Sequence, residues 1–171
     1  REVVLNCILP LIQVSEAMSQ KYDVVVTNPP YMGASGMSPR LLDFAKAYYP
    51  DTKSDLSTIF MEKCIDMCSQ NGRIAMINIP VWMFLVSFEN QRKVLIKDNM
   101  FSTLIHFGRG VFGADFGTVA FVINKHRTPN YQATYLRLFD KSSAVDSVEQ
   151  KEQWYLEKKG EAIIRQESFG R

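Results

Sequence analysis

Tyr22-Asp23-Val24-Val25-Val26-Thr27-Asn28-Pro29-Pro30-Tyr31 is the stretch on which the fold turns. Its first six residues are β-branched or aromatic except for Asp23, and three consecutive valines without polar alternation read as a buried strand of a parallel sheet. The prolines stop it. Asn28 precedes a proline and is held extended, while Pro29 and Pro30 fix their own φ angles. The product is a stiff corner that offers the Asn28 side-chain oxygen and the Pro29 carbonyl as two preset acceptors, with the flat face of Tyr31 beside them. Ligands of open α/β sheets sit beyond the carboxyl ends of strands, where this corner falls. Two acceptors and a stacking platform suit a planar exocyclic amine, whose lone pair is delocalised into its ring. Hydrogen bonds to both amine protons favour the tetrahedral geometry in which that lone pair attacks. A plain proline turn is the alternative reading of the same residues.

Outward from this corner the chain alternates. Pro10 suits the first turn of a short helix preceding the strand. Ser54-Asp55 opens a second helix with a capping residue, and Leu56, Ile59, Phe60, Cys64, Met67 and Cys68 form its apolar stripe. Asn71-Gly72 is expected to close it, with Gly72 as the left-handed residue. Residues 73–79 read as a strand stopped by Pro80, and Ser87 as the cap of a helix reaching about 99. Further strands are expected at 103–107, 118–124 and 133–139. Strand–helix alternation predicts an α/β fold with a mostly parallel sheet. The strands on either side of the loop at 108–117 lack a helix between them and should form an antiparallel hairpin. After Asp140 the chain is charge-dense and poor in core residues, with one amphipathic helix expected at Val148–Leu156. Residues 1–139 therefore read as one domain part and 140–171 as a linker or the start of a following module.

The 171 residues suit about one domain, and 46% hydrophobic with 22% charged residues exclude a disordered chain. Twenty Lys+Arg against 18 Asp+Glu leave a net charge of +2, too balanced to announce a partner. No apolar run reaches the ~18 residues of a membrane span; Asn78 and Pro80 interrupt the best one. Cys7, Cys64 and Cys68 form neither a disulfide framework nor a metal-ligand spacing, so no metal and a reducing, cytoplasmic setting are expected. The chain opens on Arg1 without a secretory leader pattern, as expected of a piece of a longer polypeptide.

Several signals carry less. Gly108-Arg109-Gly110-Val111-Phe112-Gly113 fits the spacing of a dinucleotide loop, yet a strand and not a helix is expected next. His106 and His126 have no nucleophile or carboxylate arrangement around them. Arg92, Lys93 and Lys97 read as a solvated helix flank.

The block from Tyr22 to Tyr31 resembles motif IV of amino-methylating, S-adenosylmethionine-dependent methyltransferases. Its continuation, Met32-Gly33, Gly36-Met37-Ser38-Pro39, Tyr49-Pro50-Asp51, Lys53-Ser54-Asp55-Leu56 and Phe60-Met61-Glu62, is similar to adenine-specific DNA methylases of bacteriophage-exclusion (BREX) systems and their restriction–modification relatives. The likeness runs from about 20 to 125. It implies a Rossmann-like class I methyltransferase fold acting on double-stranded DNA. Asn28, Pro29, Pro30 and Tyr31 would form the catalytic corner, with the first two holding the target adenine's amine and Tyr31 stacking on the flipped base. Flipping costs a few kcal/mol, and one stack returns about 1–3 kcal/mol. The ring rather than the hydroxyl of Tyr31 is expected to matter. The resemblance also places an aromatic residue on the base's other side; Phe112 matches best, with Phe116 as the alternative.

The pattern is incomplete. The family's aromatic-x-Gly-x-Gly donor loop and ribose-binding acid have no counterpart in residues 1–22, so the S-adenosylmethionine site is expected upstream of Arg1. A target-recognition domain normally comes next in that family, whereas residues 140–171 read as a charged tail. The expectation is the carboxy-terminal half of a methyltransferase domain, inactive by itself, partnered by its upstream half and a recognition domain. Alternatives are a methyltransferase for a protein glutamine or RNA amine, or a non-catalytic binding module. A strand at Tyr22–Thr27 deprived of a neighbour should self-associate, for example as a homodimer, or be covered by residues 1–20 or 140–171.

Overall fold

The computed structural model describes Glu2 and residues 4–113, 116–141 and 144–165; parts of the loop at 108–117 and of the tail after Asp140 lie outside them. A single six-stranded sheet organises the chain. Its strands are β1 (Tyr22–Thr27), β2 (Cys68–Asn78), β3 (Met100–Arg109), β4 (Gly117–Asn124), β5 (Gln132–Arg137) and β6 (Ala162–Arg165), in the spatial order β1-β2-β4-β3-β5-β6. β1 pairs with β2 and β3 with β5 in parallel, whereas β4 runs antiparallel to both its neighbours and β6 to β5. Four strands thus point one way and two the other. The hairpin expected from the missing helix is β3–β4.

Helices α3 (Leu56–Met67), α4 (Val81–Phe84) and α5 (Glu89–Asp98) cover one face of the sheet. Alternate residues of a strand point to opposite faces, and β2 obeys: Ile74 and Met76 are buried while Ala75 and Ile77 are only half-buried. Met61 and Cys64 of α3, Trp82 of α4 and Leu95 of α5 pack onto Ile74, Met76, Leu104, Val119, Phe121 and Ile123 as one core. Trp82 lies parallel to Phe101 and edge-on to Phe121. Each large apolar side chain so buried contributes about 1.5–3 kcal/mol.

Four expectations need correction. Helix α3 stops at Met67 and not at Asn71, because Cys68 is already extended (φ −74°, ψ 141°) and begins β2. Residues 69–72 bulge out opposite Asp23, with the Ser69 hydroxyl donating to the Asp23 carboxylate at 2.7 Å. Gly72 is there for closeness and not for handedness: a Cβ would lie 2.5 Å from Cys68 Sγ and 2.8 Å from the Asp23 carbonyl oxygen. Ser87 caps nothing; it sits in a 3₁₀ turn (Val86–Phe88), and α5 begins at Glu89 without a side-chain cap. Arg92 is no solvated residue, since its guanidinium donates to the carbonyls of Trp82 (2.7 Å) and Leu85 (2.6 Å) at the end of α4. Finally, β1 is not buried. Val24 and Val26 are 63% and 70% exposed, and β2 is the one strand beside it among the described residues.

Among the described residues neither terminal segment covers that edge. Helix α1 (Leu9–Ser19), with Pro10 in its first turn, buries no residue, and its apolar side chains Leu9, Leu11, Ile12, Val14 and Met18 face solvent. β6 lies at the opposite end of the sheet. Helix α2 (Pro39–Tyr48) packs in a small cluster with Met37 and Ile59. Helix α6 (Val148–Leu156) forms where its sequence pattern places it, capped by Ser147, and buries Trp154 against Leu136 and Leu138. No helix of the described residues is long and apolar enough to cross a membrane.

Candidate functional site

β1 delivers the corner. Its parallel register, Val26 to Ala75 and Thr27 to Met76, carries the chain to the carboxyl end of the sheet, where Asn28 leaves the strand. Pro29 is buried, Asn28 and Pro30 are exposed, and Tyr31 is half-buried. The loop beyond is stapled to the start of α3. The Leu56 amide donates to the Met32 carbonyl (2.8 Å), the Ala34 amide to the Ser54 carbonyl (3.0 Å), and Gly33 bridges Asp55. Asp55 is itself buried and caps α3, accepting from the Ser57 amide at 2.8 Å and the Ser57 hydroxyl at 2.6 Å. Asn78, fully buried at the end of β2, donates to the Ser57 carbonyl (3.4 Å) and accepts from the Ile79 amide (2.7 Å). The corner therefore stands on a polar, hydrogen-bonded base, which removes freedom from the loop beyond it.

Tyr31 is the centre of the site's contacts. Its hydroxyl donates to Asn28 Oδ1 at 2.6 Å, and the Ile77 carbonyl stands 3.4 Å away. Burial pushes the phenol above its usual pKa, so it stays protonated. Its ring meets Phe116 edge-on, with centroids 5.6 Å apart. Of the two aromatics weighed for the base's second side, Phe116 touches Tyr31. Phe112 is 62% exposed and sits at φ +61°, a left-handed conformation costly for a bulky residue. Such strain concentrates at functional sites. Gly108 and Gly110 share positive φ angles in the same loop. A 3₁₀ turn (Val111–Gly113) and then strand β4 come next, so the spacing that fits a dinucleotide loop lacks its helix.

A hollow of about 420 Å³ lies next to the corner on the face of the sheet opposite α3, α4 and α5, where Ala75 and Ala120 leave room between Val26, Asn28 and Ile105. His106 lies elsewhere: its ring meets Phe139 edge-on at 4.8 Å, and burial, helped by Arg137, holds its pKa below the usual value. Among the described residues the one hydrogen-bond contact of His126 is with the Thr128 hydroxyl, at 3.5 Å. Among the described residues no group of three or more His, Cys, Asp or Glu converges as a metal site.

Residue spacing did not reveal Asn78, the Asp55–Ser57 pair as the loop's anchor, or the phenol–amide hydrogen bond. A buried asparagine ending an apolar strand, directly before a proline turn, is the one signal that pointed at the first.

The family model of the Eco57I restriction-modification methylases matches residues 8–112, spanning both the corner and the strands that carry it. The chain belongs to that family. The adenine-specific methyltransferase BrxX of Escherichia coli O9:H4 (strain HS) is 40% identical over 137 residues, which are 78% of this chain and 11% of that protein. The adenine-specific methyltransferase PglX of Lacticaseibacillus casei (strain Zhang) is 39% identical over 150 residues, 85% of this chain and 12% of that one. The chain thus spans about an eighth or less of these curated relatives. Among solved structures, a putative class I S-adenosylmethionine-dependent methyltransferase from Listeria monocytogenes superposes with a TM-score of 0.56 at 15% identity, over 81% of this chain and 42% of that one. The DrdV–DNA complex superposes at 0.65 and 18% identity, over 91% and 18%. At such identities these likenesses speak for the fold alone, and it is the class I methyltransferase fold.

Proposed function

We propose that this member of the Eco57I family supplies the base-binding wall of an adenine-specific DNA methyltransferase. Residues 1–139 would be the carboxy-terminal half of its catalytic domain, and 140–171 a linker or the start of the next module. The observation that carries this reading is the corner itself: Asn28 and Pro29 at the carboxyl end of β1, with Tyr31 held beside them by Asn28 and Phe116. The named activity of the relatives BrxX and PglX supports adenine as the target, and the DNA bound to DrdV supports a DNA substrate.

In this reading Asn28 Oδ1 and the Pro29 carbonyl accept the two protons of the flipped adenine's amine and turn its lone pair outward. Tyr31 covers one side of the base and Phe112 the other, which offsets the cost of unstacking it. S-adenosylmethionine would supply the electrophilic methyl group. The described residues do not fit that donor: no aromatic-x-Gly-x-Gly loop joins a strand to a helix among them. We place its seat in the upstream half, which would also pair with β1 and cover α1 and the hollow beside Asn28. A cytoplasmic location follows from a DNA substrate.

The test is Asn28→Ala in the full-length parent. Methylation should be abolished while donor binding persists; an active variant would reduce the corner to a turn.

A further inference from the structure

We infer that the Tyr31 hydroxyl is a positioning group that sets which way the Asn28 side-chain amide faces. This rests on the reading of Asn28 as the acceptor of the target amine and adds a residue to that reading.

The two ends of an asparagine amide are nearly equal in shape, and its last torsion is soft and two-fold. Turned the wrong way, Asn28 would present N–H donors to an amine that is itself a donor. Asn28 is exposed, so packing does not choose between the two states. The hydroxyl of Tyr31 does. It donates to Oδ1 at 2.6 Å, and no other hydrogen bond reaches that amide among the described residues. An amide oxygen has two lone pairs, so the phenol takes one and leaves the other for the substrate. The Tyr31 ring is held in turn by Phe116 and by the approach of its hydroxyl to the Ile77 carbonyl. Buried enough to stay protonated, the phenol remains a donor through the neutral range. The expectation that only the ring matters is therefore revised: the hydroxyl has a partner.

The experiment uses the full-length parent with two duplexes, one carrying 2-aminopurine at the target position to report flipping and one carrying adenine there to report turnover. Tyr31→Phe keeps the ring, so the fluorescence rise on flipping and the KM for DNA should stay as they are. The kcat should fall about three- to tenfold, the worth of one neutral hydrogen bond. Asn28→Asp removes the need for orientation, since both carboxylate oxygens accept. In that background Tyr31→Phe should cost less than about twofold if the hydroxyl acts only through the amide's direction. A silent Tyr31→Phe, or an equal loss in both backgrounds, overturns the inference. If Asn28→Asp is inactive, the division of the Tyr31→Phe effect between kcat and KM decides: a loss in KM alone rejects positioning. An active Asn28→Ala parent would instead sink the reading of the corner itself.

Discussion

The ring of Phe116 meets the ring of Tyr31 edge-on, with centroids 5.6 Å apart and planes at 89°. This contact joins the start of β4 to the loop after β1 and restrains the one aromatic face at the corner. An edge-to-face pair is worth about 0.5–1.5 kcal/mol beyond its area. Phe116→Ala in the full-length parent should therefore lower methylation about two- to tenfold. Phe116 is 41% exposed, so the melting temperature should hardly move. Steady-state kinetics beside thermal unfolding separate the two effects, and unchanged kinetics would mean that Tyr31 needs no support.

Tyr31→Ala removes both the stacking face and the hydroxyl. A stack contributes about 1–3 kcal/mol per base, so activity should fall at least about ten- to hundredfold, beyond the loss in Tyr31→Phe. Matching losses in the two variants would assign the whole effect to the hydroxyl.

Gly72→Ala should destabilise the fold by about 1–3 kcal/mol, the usual cost of forcing an extra carbon into a filled space. The new methyl would stand 2.8 Å from the backbone oxygen of Asp23, which cannot rotate away as a side chain can. Chemical denaturation reads this as a lower midpoint at constant slope. An unchanged midpoint would show that the bulge at 69–72 relaxes freely.

His106 makes stability depend on pH. Burial first, and the Arg137 charge second, lower its folded pKa below 6.5. Between that lowered value and 6.5 the unfolded chain binds the proton and the folded one does not. Stability is thus fully present above about pH 6.5 and declines as pH falls through the range below it. His106→Gln should flatten this slope in melts taken between pH 7 and 5. A slope that persists unchanged assigns the effect to another group.

The chain by itself should self-associate through β1, whose free edge is flanked by the exposed Val24 and Val26. Placing lysine at both positions guards such an edge. Light scattering should report oligomers for the native sequence and a monomer for the Val24→Lys, Val26→Lys variant. A monomeric native chain would show that the bare edge is tolerated.

Sequence by itself determined those features whose causes lie within a few residues. Two prolines restrict φ at their own positions and force Asn28 to be extended, so the corner after β1 was legible without coordinates. Asp55 at the head of an apolar stripe marks the start of α3, and the pattern at Val148–Leu156 marks α6. The absence of a helix between 109 and 117 already required the β3–β4 hairpin. Tertiary structure alone decided what depends on distant neighbours. Helix α3 ends at Met67 because β2 begins pairing at Cys68 beside Tyr22, a contact no local propensity encodes. Arg92 turns inward because two carbonyls at the end of α4 lie within its reach. Phe116 comes to lie beside Tyr31 because β4 inserts between β2 and β3, bringing its first residues to the end of the sheet where β1 stops. The phenol meets the Asn28 amide once the loop after the corner is tied to α3, since local φ restrictions direct a backbone but leave a hydroxyl's partner to packing.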